Sequence, residues 1–302
     1  MRPDAIRGAD IARLVVLAAI WGASFIFMRA LAPVLGPVLT ATSRVVIAGA
    51  ALVAWFRVSG FDAQLRQHWR TYLVVGVVNS ALPFLLFSFA AVYLPASYSA
   101  ILNSATPLFA ALLSAVWLDE RMTAARGAGL AAGAAGVALV TGAGPVVPGA
   151  MFGVAVAACL CAALCYALAG TYIKRYAVGV KPMAIAGWSQ VFAGAALLPL
   201  VPFAAPPGVP TLAVLGNVLG LALLCSAVAY LLYFRLIADI GPTRAMTVTY
   251  LLPLFAMVWS VLFLRETITL TMLAGCALVV GGTALVIRRP RPVPARIERS
   301  PG

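Results

Sequence analysis

Long apolar stretches, separated by short polar or proline- and glycine-containing connections, run from residue 11 to residue 287. A helix needs about 20 mostly apolar residues to cross roughly 30 Å of hydrocarbon, and ten such stretches fit into the chain. The pattern therefore predicts an all-α integral membrane protein with ten transmembrane helices and no soluble domain. The predicted helices cover about residues 11–31, 38–56, 71–92, 95–118, 124–142, 151–173, 182–203, 211–236, 242–264 and 270–287.

One part of this pattern occurs twice. Residues 107–140 read PLFAALLSAVWLDERMTAARGAGLAAGAAGVALV and residues 253–286 read PLFAMVWSVLFLRETITLTMLAGCALVVGGTALV, an offset of 146 residues (253 minus 107). The two agree at nearly half of their positions without a gap, and an identical AGAAL occurs at 48–52 and 193–197. The chain is therefore a duplicated unit of five helices. We predict a first repeat at residues 1–143, a second at 149–288, and a basic, proline-rich cytoplasmic tail at 289–302.

The odd number of helices in each unit determines the topology. The second unit must enter the membrane from the opposite side, so the units are predicted to be inverted repeats around a central path. With both termini in the cytoplasm, all but three of the 21 Lys and Arg residues lie on the cytoplasmic side, as the positive-inside rule requires. The exceptions are Arg29, Arg44 and Arg265. The net charge of +13 thus follows membrane topology, and we predict no nucleic acid partner.

Composition limits the chemistry of such a protein. The mean hydropathy of +1.05, with 64% hydrophobic and 10% charged residues, lies outside the range of soluble proteins. The five cysteines lie in apolar stretches without a metal-binding spacing, the only histidine is His68 in a connection, and no GxxxxGK[ST] loop is present. No Asp or Glu lies in the middle of a predicted helix. We therefore predict no enzymatic activity, cofactor or metal, and we favour facilitated diffusion over proton coupling.

Polar and aromatic residues interrupt the apolar helices at many positions. Lipid-facing positions rarely carry such groups, so most should face the central path; for each one an interhelical hydrogen bond or an interfacial position is the alternative. The candidate substrate-binding residues are Trp21, Ser24, Ser43, Arg44, Asn79, Ser80, Phe84, Tyr98 and Asn103 in the first half, and Tyr166, Trp188, Tyr230 and Tyr250 in the second. Gln190 and Thr249 lie on the same predicted helices.

Arg44 is the most informative of these residues, because it lies about 10 Å into the second predicted helix. Its side chain could snorkel to the outer surface, attract a substrate carboxylate, or pair with Glu266 at the outer mouth. Arg29 lies closer to its helix end and is predicted to be an anchor.

The duplicated stretch also contains candidate hinge and structural residues. Pro107 and Pro253 each remove a helical hydrogen bond, so each is either a fixed kink or a hinge or gate. Thr123 and Thr269 are predicted to cap the fifth and tenth helices, with the carboxylates of Glu120 and Glu266 near those helix starts. Small residues on the same two helices allow close approach, which we interpret as packing within the bundle rather than dimerisation. They are Gly129, Gly133, Gly136, Gly275, Ala277, Gly281 and Gly282.

This arrangement resembles the EamA-type drug/metabolite transporter (DMT) superfamily. The resemblance covers about residues 10–288 and rests on the five-plus-five helices, Trp21-Gly22 in the first helix, and a proline followed by LxExxT and a glycine-rich helix in both halves. It implies that helices 1–4 and 6–9 line a path, with helices 5 and 10 packed outside. It also implies transport of metabolites such as amino acids, sugars or purines, with the YddG-like aromatic amino acid exporters as the nearest subgroup.

The sequence thus predicts an exporter or facilitator of small metabolites in the bacterial cytoplasmic (inner) membrane. Amino acids, including aromatic ones, are the leading substrate class, moved by alternating access. A multidrug or other metabolite carrier is the alternative within transport, and a non-transporting membrane receptor or scaffold is the alternative of another class. The predicted partners are the lipid bilayer and the solute, with no obligatory protein partner and a monomeric state.

Overall fold

The computed structural model describes residues 7–144 and 149–287, and every regular element in these residues is helical. The helices are α1 (Gly8–Ser59), α2 (Leu65–Tyr93), α3 (Ala96–Trp117), α4 (Ala124–Ala143), α5 (Phe152–Tyr176), α6 (Pro182–Phe203), α7 (Leu212–Ile240), α8 (Val248–Leu264) and α9 (Leu270–Ile287). All but α8 are long and apolar enough to cross a membrane, and α8 follows a single helical turn at Pro242–Ala245. The predicted tail at 289–302 and most of the predicted connection between the halves, at 145–148, lie outside the described residues.

The long helix α1 is interrupted at Gly36, whose φ of 81° and ψ of 161° are not helical. Glycine adopts this positive φ without strain because it has no Cβ. Pro37 then begins the next segment, where the first helical position needs no N–H donor. The turn predicted around Pro33, Gly36 and Pro37 is therefore present, but it occupies one residue rather than a loop.

Helix α2 begins at Leu65, about two turns before the start predicted near Thr71. Its first turns form a helix because their apolar face is covered. Tyr72 is fully buried, its hydroxyl donates to the Ala63 carbonyl at 2.7 Å, and Val75 packs against Ile185 of α6 in the same apolar cluster.

Helix α1 also lies at the centre of the molecule. It contacts α2 on one side and α6, α7 and α8 on the other, and Leu17, Leu31 and Leu52 on it are almost completely buried. Residues from the first and the second half of the chain therefore share one interior.

Two helices contain π-helical segments that the apolar pattern did not reveal. They are Gly76–Ala81 in α2 and Gly220–Val228 in α7. The two segments begin 144 residues apart (220 minus 76), close to the offset of the duplicated stretch. A π segment turns the residues after it to a new face of the helix and is frequent at functional sites.

Helix α3 is broken at Ser104 and Ala105, and its second part begins at Thr106, the residue before Pro107. Because proline has no N–H, the Asn103 carbonyl loses its helical partner, and the Thr106 hydroxyl donates to it instead at 2.7 Å. Pro253 lies inside α8. Both prolines are thus within helical spans, as predicted, and their role as hinges stays a prediction.

Glycines bring α4 and α9 into direct backbone contact. A Cβ on Gly136 would lie 2.6 Å from the Gly275 carbonyl oxygen, and one on Gly129 would lie equally close to that of Gly282. Because no larger residue fits at such distances, these positions require glycine. These four glycines therefore act in packing within one chain, as interpreted from the sequence, whereas a Cβ on Gly281 would have no neighbour within 4 Å. Helix α4 is the least buried of the candidate membrane spans.

Candidate functional site

Arg44 lies inside the protein and does not snorkel. Its side chain is packed against α2 and α7, and only 6% of the residue is exposed. The guanidinium carbon lies 3.7 Å from the centre of the Phe84 ring, Nε donates to Ser226 Oγ at 3.0 Å, and Nη1 approaches the Met28 sulfur at 3.7 Å. The predicted alternative of a pair with Glu266 is wrong, and within the described residues Arg44 forms no ion pair with a carboxylate.

A second polar connection lies next to this cation. Gln190 on α6 is completely buried, and its Nε2 donates to Ser80 Oγ at 2.9 Å. Tyr230 lies close to the Ser80 side chain. Tyr230 and Tyr166 both lie within electrostatic range of the Arg44 charge.

We call these residues the Arg44 cluster. It consists of Arg44, Ser80, Phe84, Tyr166, Gln190, Ser226 and Tyr230. Five of them are candidate substrate-binding residues from the sequence, and Gln190 lies on the predicted helix that carries the candidate Trp188. The structure brings these six residues together. Ser226 was missed, although one signal could have found it: it lies 146 residues after Ser80 (226 minus 80), which is the offset of the duplicated stretch.

The two π-helical segments carry the two serines of the cluster. Ser80 lies in Gly76–Ala81 and accepts from Gln190 of α6, whereas Ser226 lies in Gly220–Val228 and accepts from Arg44 of α1. Each hydrogen bond thus joins one half of the chain to the other. The extra residue of a π turn directs each serine inward.

Aromatic rings surround the charged group. Phe84 lies under the guanidinium, Tyr166 stacks on Phe87 with centroids 6.1 Å apart, and Tyr230 stacks on Phe234 at 6.3 Å. The cluster therefore combines one cation, a few neutral hydrogen-bonding groups and apolar ring faces. Such a combination can accommodate an anionic group attached to an apolar body.

Other predicted residues lie on the same helices but use their polar groups locally. The hydroxyl of Ser24 donates to the Trp21 carbonyl at 2.6 Å, and that of Ser43 donates to the Thr40 carbonyl at 3.1 Å. The Trp21 ring packs against Tyr233, with centroids 5.1 Å apart. Asn79 is half-buried in the π-helical segment beside Ser80.

The remaining predicted residues lie outside the cluster. Trp188 lines a cleft of about 240 Å³ with Phe61 and Asp62, and Tyr98 is fully buried beside Phe152. Asn103 ends the first part of α3, and its buried Oδ1 has no hydrogen-bond partner among the described residues.

Tyr250 is a half-buried residue near the start of α8. Thr249 beside it donates to the Met246 carbonyl at 2.8 Å. The structure does not bring either residue into the Arg44 cluster.

Arg29, the other membrane arginine of α1, has a structural role. Its Nη1 donates to the carbonyls of Ala91 and Val92 at 2.7 and 2.9 Å, at the end of α2. Because a helix end leaves carbonyls without partners, a cation there satisfies them and interacts favourably with the helix dipole. Arg29 thus ties α1 to the end of α2, and its anchoring at the membrane surface stays a prediction.

The two threonine caps are confirmed. Thr123 Oγ1 accepts from the Arg126 N–H at 3.3 Å at the start of α4, and Thr269 Oγ1 accepts from the Met272 N–H at the same distance at the start of α9. Each hydroxyl satisfies one donor that a helix start leaves without a partner.

The expectation for Glu266 needs correction. Its carboxylate caps α3 rather than the helix that follows it, accepting from the Ala96 N–H at 2.7 Å, the Ser97 N–H at 3.2 Å and the Ser97 hydroxyl at 2.7 Å. A capping pattern in a sequence predicts a contact with the helix that follows it directly. In the folded chain, the start of a helix from the other half lies within reach of the Glu266 carboxylate. The contact joins residues 170 positions apart.

Glu120 has different partners from Glu266. It pairs with Lys174 of α5 at 2.5 Å and with Arg126 at 2.8 Å. The hydrogen bonds from Lys174 and then from Arg126 hold the pKa of the Glu120 carboxyl below its ordinary value. Two glutamates at equivalent places in the duplicated stretch thus make unlike contacts at the two ends of the molecule.

Comparison with known proteins gives matches along almost the whole chain. A model of the EamA-like transporter family matches residues 11–142 and 153–288. An uncharacterized transporter, YvbV, of Bacillus subtilis is 28% identical over 90% of each chain. A "probable terminal-alkyne amino-acid exporter" of Streptantibioticus cattleyicolor is 27% identical over 91% of this chain and 92% of its own. A solved crystal structure, 20% identical, superposes with a TM-score of 0.65 over 92% of this chain and 96% of the other, a likeness of fold alone.

Proposed function

We propose an amino acid transport function for this chain, which belongs to the EamA-like transporter family. The chain is a multi-pass membrane transporter rather than an enzyme. The further proposal is that it exports small metabolites, or passively facilitates their movement, across the bacterial cytoplasmic membrane, and that these metabolites are amino acids, including aromatic ones. The similarity to a protein named as an amino-acid exporter supports this substrate class.

The observation that carries the proposal is the buried cation of the Arg44 cluster. A charge removed from water is costly unless an opposite charge compensates it, and no carboxylate of the described residues pairs with Arg44. Ser226 and the Met28 sulfur engage only part of the five N–H donors of a guanidinium. The remaining donors suit a substrate carboxylate, which arginine binds with two parallel hydrogen bonds.

The apolar part of the substrate would lie against the rings of the cluster. Phe84 and Tyr166, with Phe87 behind them, present ring faces and edges near the cation. Aromatic pairs contribute about 0.5–1.5 kcal/mol beyond the burial of their area. An amino acid with an aromatic or large aliphatic side chain therefore fits better than a small polar one, as in a YddG-like aromatic amino acid exporter.

We further propose ten membrane crossings in two inverted five-helix repeats, with both termini in the cytoplasm. The 52 residues of α1 have a summed helical length of about 78 Å along the chain. This length exceeds two thicknesses of hydrocarbon of about 30 Å each. The break at Gly36 divides α1 into two crossings, and α2 to α9 would supply the other eight. The hydrogen bonds that join the halves at the Arg44 cluster lie where alternating access would need a site shared by both repeats.

Counterflow in proteoliposomes tests the proposal. Purified protein, loaded with unlabelled phenylalanine, should accumulate labelled phenylalanine, leucine or methionine well above liposomes without protein. Cationic drugs should neither be transported nor compete. Transport of cationic drugs without amino acids would favour the multidrug alternative, and absence of flux for the whole panel would favour a receptor or scaffold.

The coupling mode is tested separately. We propose facilitated movement without proton coupling, so an imposed pH gradient should not change the accumulated amount. An accumulation that follows the pH gradient at a clamped membrane potential would refute this part while leaving the substrate class intact.

A further inference from the structure

Gln190 holds a buried oxygen for which the protein supplies no donor. The residue has no exposed surface, and its Nε2 is engaged with Ser80 Oγ at 2.9 Å. Its Oε1, however, has no hydrogen-bond partner among the described residues. A buried acceptor without a partner destabilises the folded protein, so a side chain kept in this state points to a ligand that completes it.

This oxygen belongs to the same cluster as the Arg44 cation. Ser80 connects the two, because it accepts from Gln190 and precedes by four residues Phe84, the ring on which the Arg44 guanidinium lies. Phe84, one helical turn after Ser80, lies directly beneath the guanidinium. The cluster therefore presents one strong set of donors and, beside it, one orphaned acceptor.

The two groups are complementary to the polar end of an α-amino acid. A carboxylate needs donors and a positive charge, which Arg44 provides. An ammonium group needs acceptors, and when its own carboxylate is adjacent it does not need a further full negative charge.

We propose that Gln190 Oε1 accepts a hydrogen bond from the α-ammonium of a substrate whose carboxylate is bound by Arg44. Gln190 thereby selects amino acids against carboxylates of the same shape that lack the amino group. Ser80 positions the Gln190 amide, since its hydroxyl holds the nitrogen end and directs the oxygen away from it. This inference rests on the proposed amino acid transport and adds the group that recognises the ammonium.

The experiment compares two solutes of nearly equal shape, L-phenylalanine and 3-phenylpropionate, in proteoliposomes at pH 7. The readout is the ratio of their kcat/KM values for the wild type, Gln190→Leu and Gln190→Glu. We expect the wild type to prefer phenylalanine and Gln190→Leu to lower that preference at least tenfold, mainly through the KM of phenylalanine, with 3-phenylpropionate changed less than threefold. Gln190→Glu keeps an acceptor and should retain the preference.

The control variant is Ser189→Ala, on the neighbouring residue, whose hydroxyl donates to the Ala186 carbonyl at 3.0 Å within its own helix. It should leave both solutes unchanged. Ser80→Ala should raise the KM of phenylalanine in the same direction as Gln190→Leu, because the amide loses its support.

The outcomes separate this inference from the proposed function. If Gln190→Leu slows both solutes by the same factor, or if Gln190→Glu loses the preference as fully as Gln190→Leu, Gln190 is a structural residue and the inference is wrong. If Gln190→Leu does not fold, Gln190→Glu and Ser80→Ala are compared by the same ratio of kcat/KM values. The inference then requires that Gln190→Glu retains the preference for phenylalanine and that Ser80→Ala lowers it. A wild type that moves 3-phenylpropionate but not phenylalanine also refutes the inference, whereas a wild type that moves neither refutes the proposed function itself.

Discussion

Replacement of Glu266 by glutamine tests the most specific contact between distant parts of the chain. The carboxylate accepts three hydrogen bonds at the start of α3, from the N–H groups of Ala96 and Ser97 and from the Ser97 hydroxyl. A glutamine side chain retains one acceptor oxygen, which can take the place of Oε2 and keep both bonds from Ser97, whereas its NH₂ group then faces the Ala96 N–H and cannot accept from it. One charge-assisted hydrogen bond of about 1.5 kcal/mol is therefore lost, together with about 0.3–1 kcal/mol from the charge at a helix start.

The expected loss of stability is about 2 kcal/mol, or roughly 3 °C in Tm for a chain of 302 residues. It can be measured by thermal unfolding of the purified protein in detergent. Glu120→Gln is the matched control, because Glu120 occupies the equivalent position but pairs with Lys174 and Arg126 near the surface. A partly exposed ion pair of this kind contributes less than about 1 kcal/mol. The reasoning fails if the two variants lower the Tm equally.

A double variant makes the test sharper. If Glu266 acts through Ser97, the effects of Glu266→Gln and Ser97→Ala should not add, because both changes weaken the same hydrogen bond between the Ser97 hydroxyl and the side chain at position 266. Full additivity would show that the two side chains stabilise the protein independently, against the geometry described above.

Three further predictions concern other parts of the molecule. Arg44→Gln should raise the KM for amino acids roughly 30-fold, because it loses a charge-assisted interaction of about 2 kcal/mol, and should not lower the Tm. Arg29→Gln should lower the Tm and leave the KM unchanged. Equal KM values for the two variants would contradict these roles. Gly136→Val should lower the Tm by an amount equivalent to about 1–3 kcal/mol, because its side chain meets backbone of α9; an unchanged Tm would refute the described packing. The pKa of Glu120 is depressed in the folded protein by Lys174, so its stabilising effect is present above the unfolded pKa and is lost as the pH falls through the folded value. The Tm difference between wild type and Glu120→Gln should therefore be constant from pH 8 to about 5.5 and should shrink as the pH falls below the ordinary glutamate pKa of about 4.3. A difference that stays constant over this acidic range would contradict the assignment.

The sequence alone determined the class of the protein, because the apolar stretches satisfy a requirement that comes from the membrane and not from the fold. Each helix must present about 20 apolar residues to lipid, so helix positions follow from composition along the chain. Two further features could be predicted for a similar reason. The caps at Thr123 and Thr269 depend only on neighbours in sequence, and glycines in membrane helices commonly allow close helix packing, as on α4 and α9. The pairing of those glycines with each other required the structure.

What the tertiary structure alone decided is which polar groups meet. Arg44 had three possible roles in the sequence, and only the packing of α1 against α2 and α7 shows its guanidinium on Phe84 with Ser226 as partner. The π-helical segments that turn Ser80 and Ser226 inward have no signature in the apolar pattern, because one extra residue per turn changes direction without changing hydrophobicity.

Glu266 illustrates the same limit from the other side. Its spacing to Thr269 indicated a local cap, and local spacing is all that a sequence pattern measures. In the folded chain a helix start from the opposite half lies within reach, and the free N–H groups of Ala96 and Ser97 take the carboxylate. Contacts between residues so far apart in the chain depend on how the two halves pack together, and for that reason only the tertiary structure could decide them.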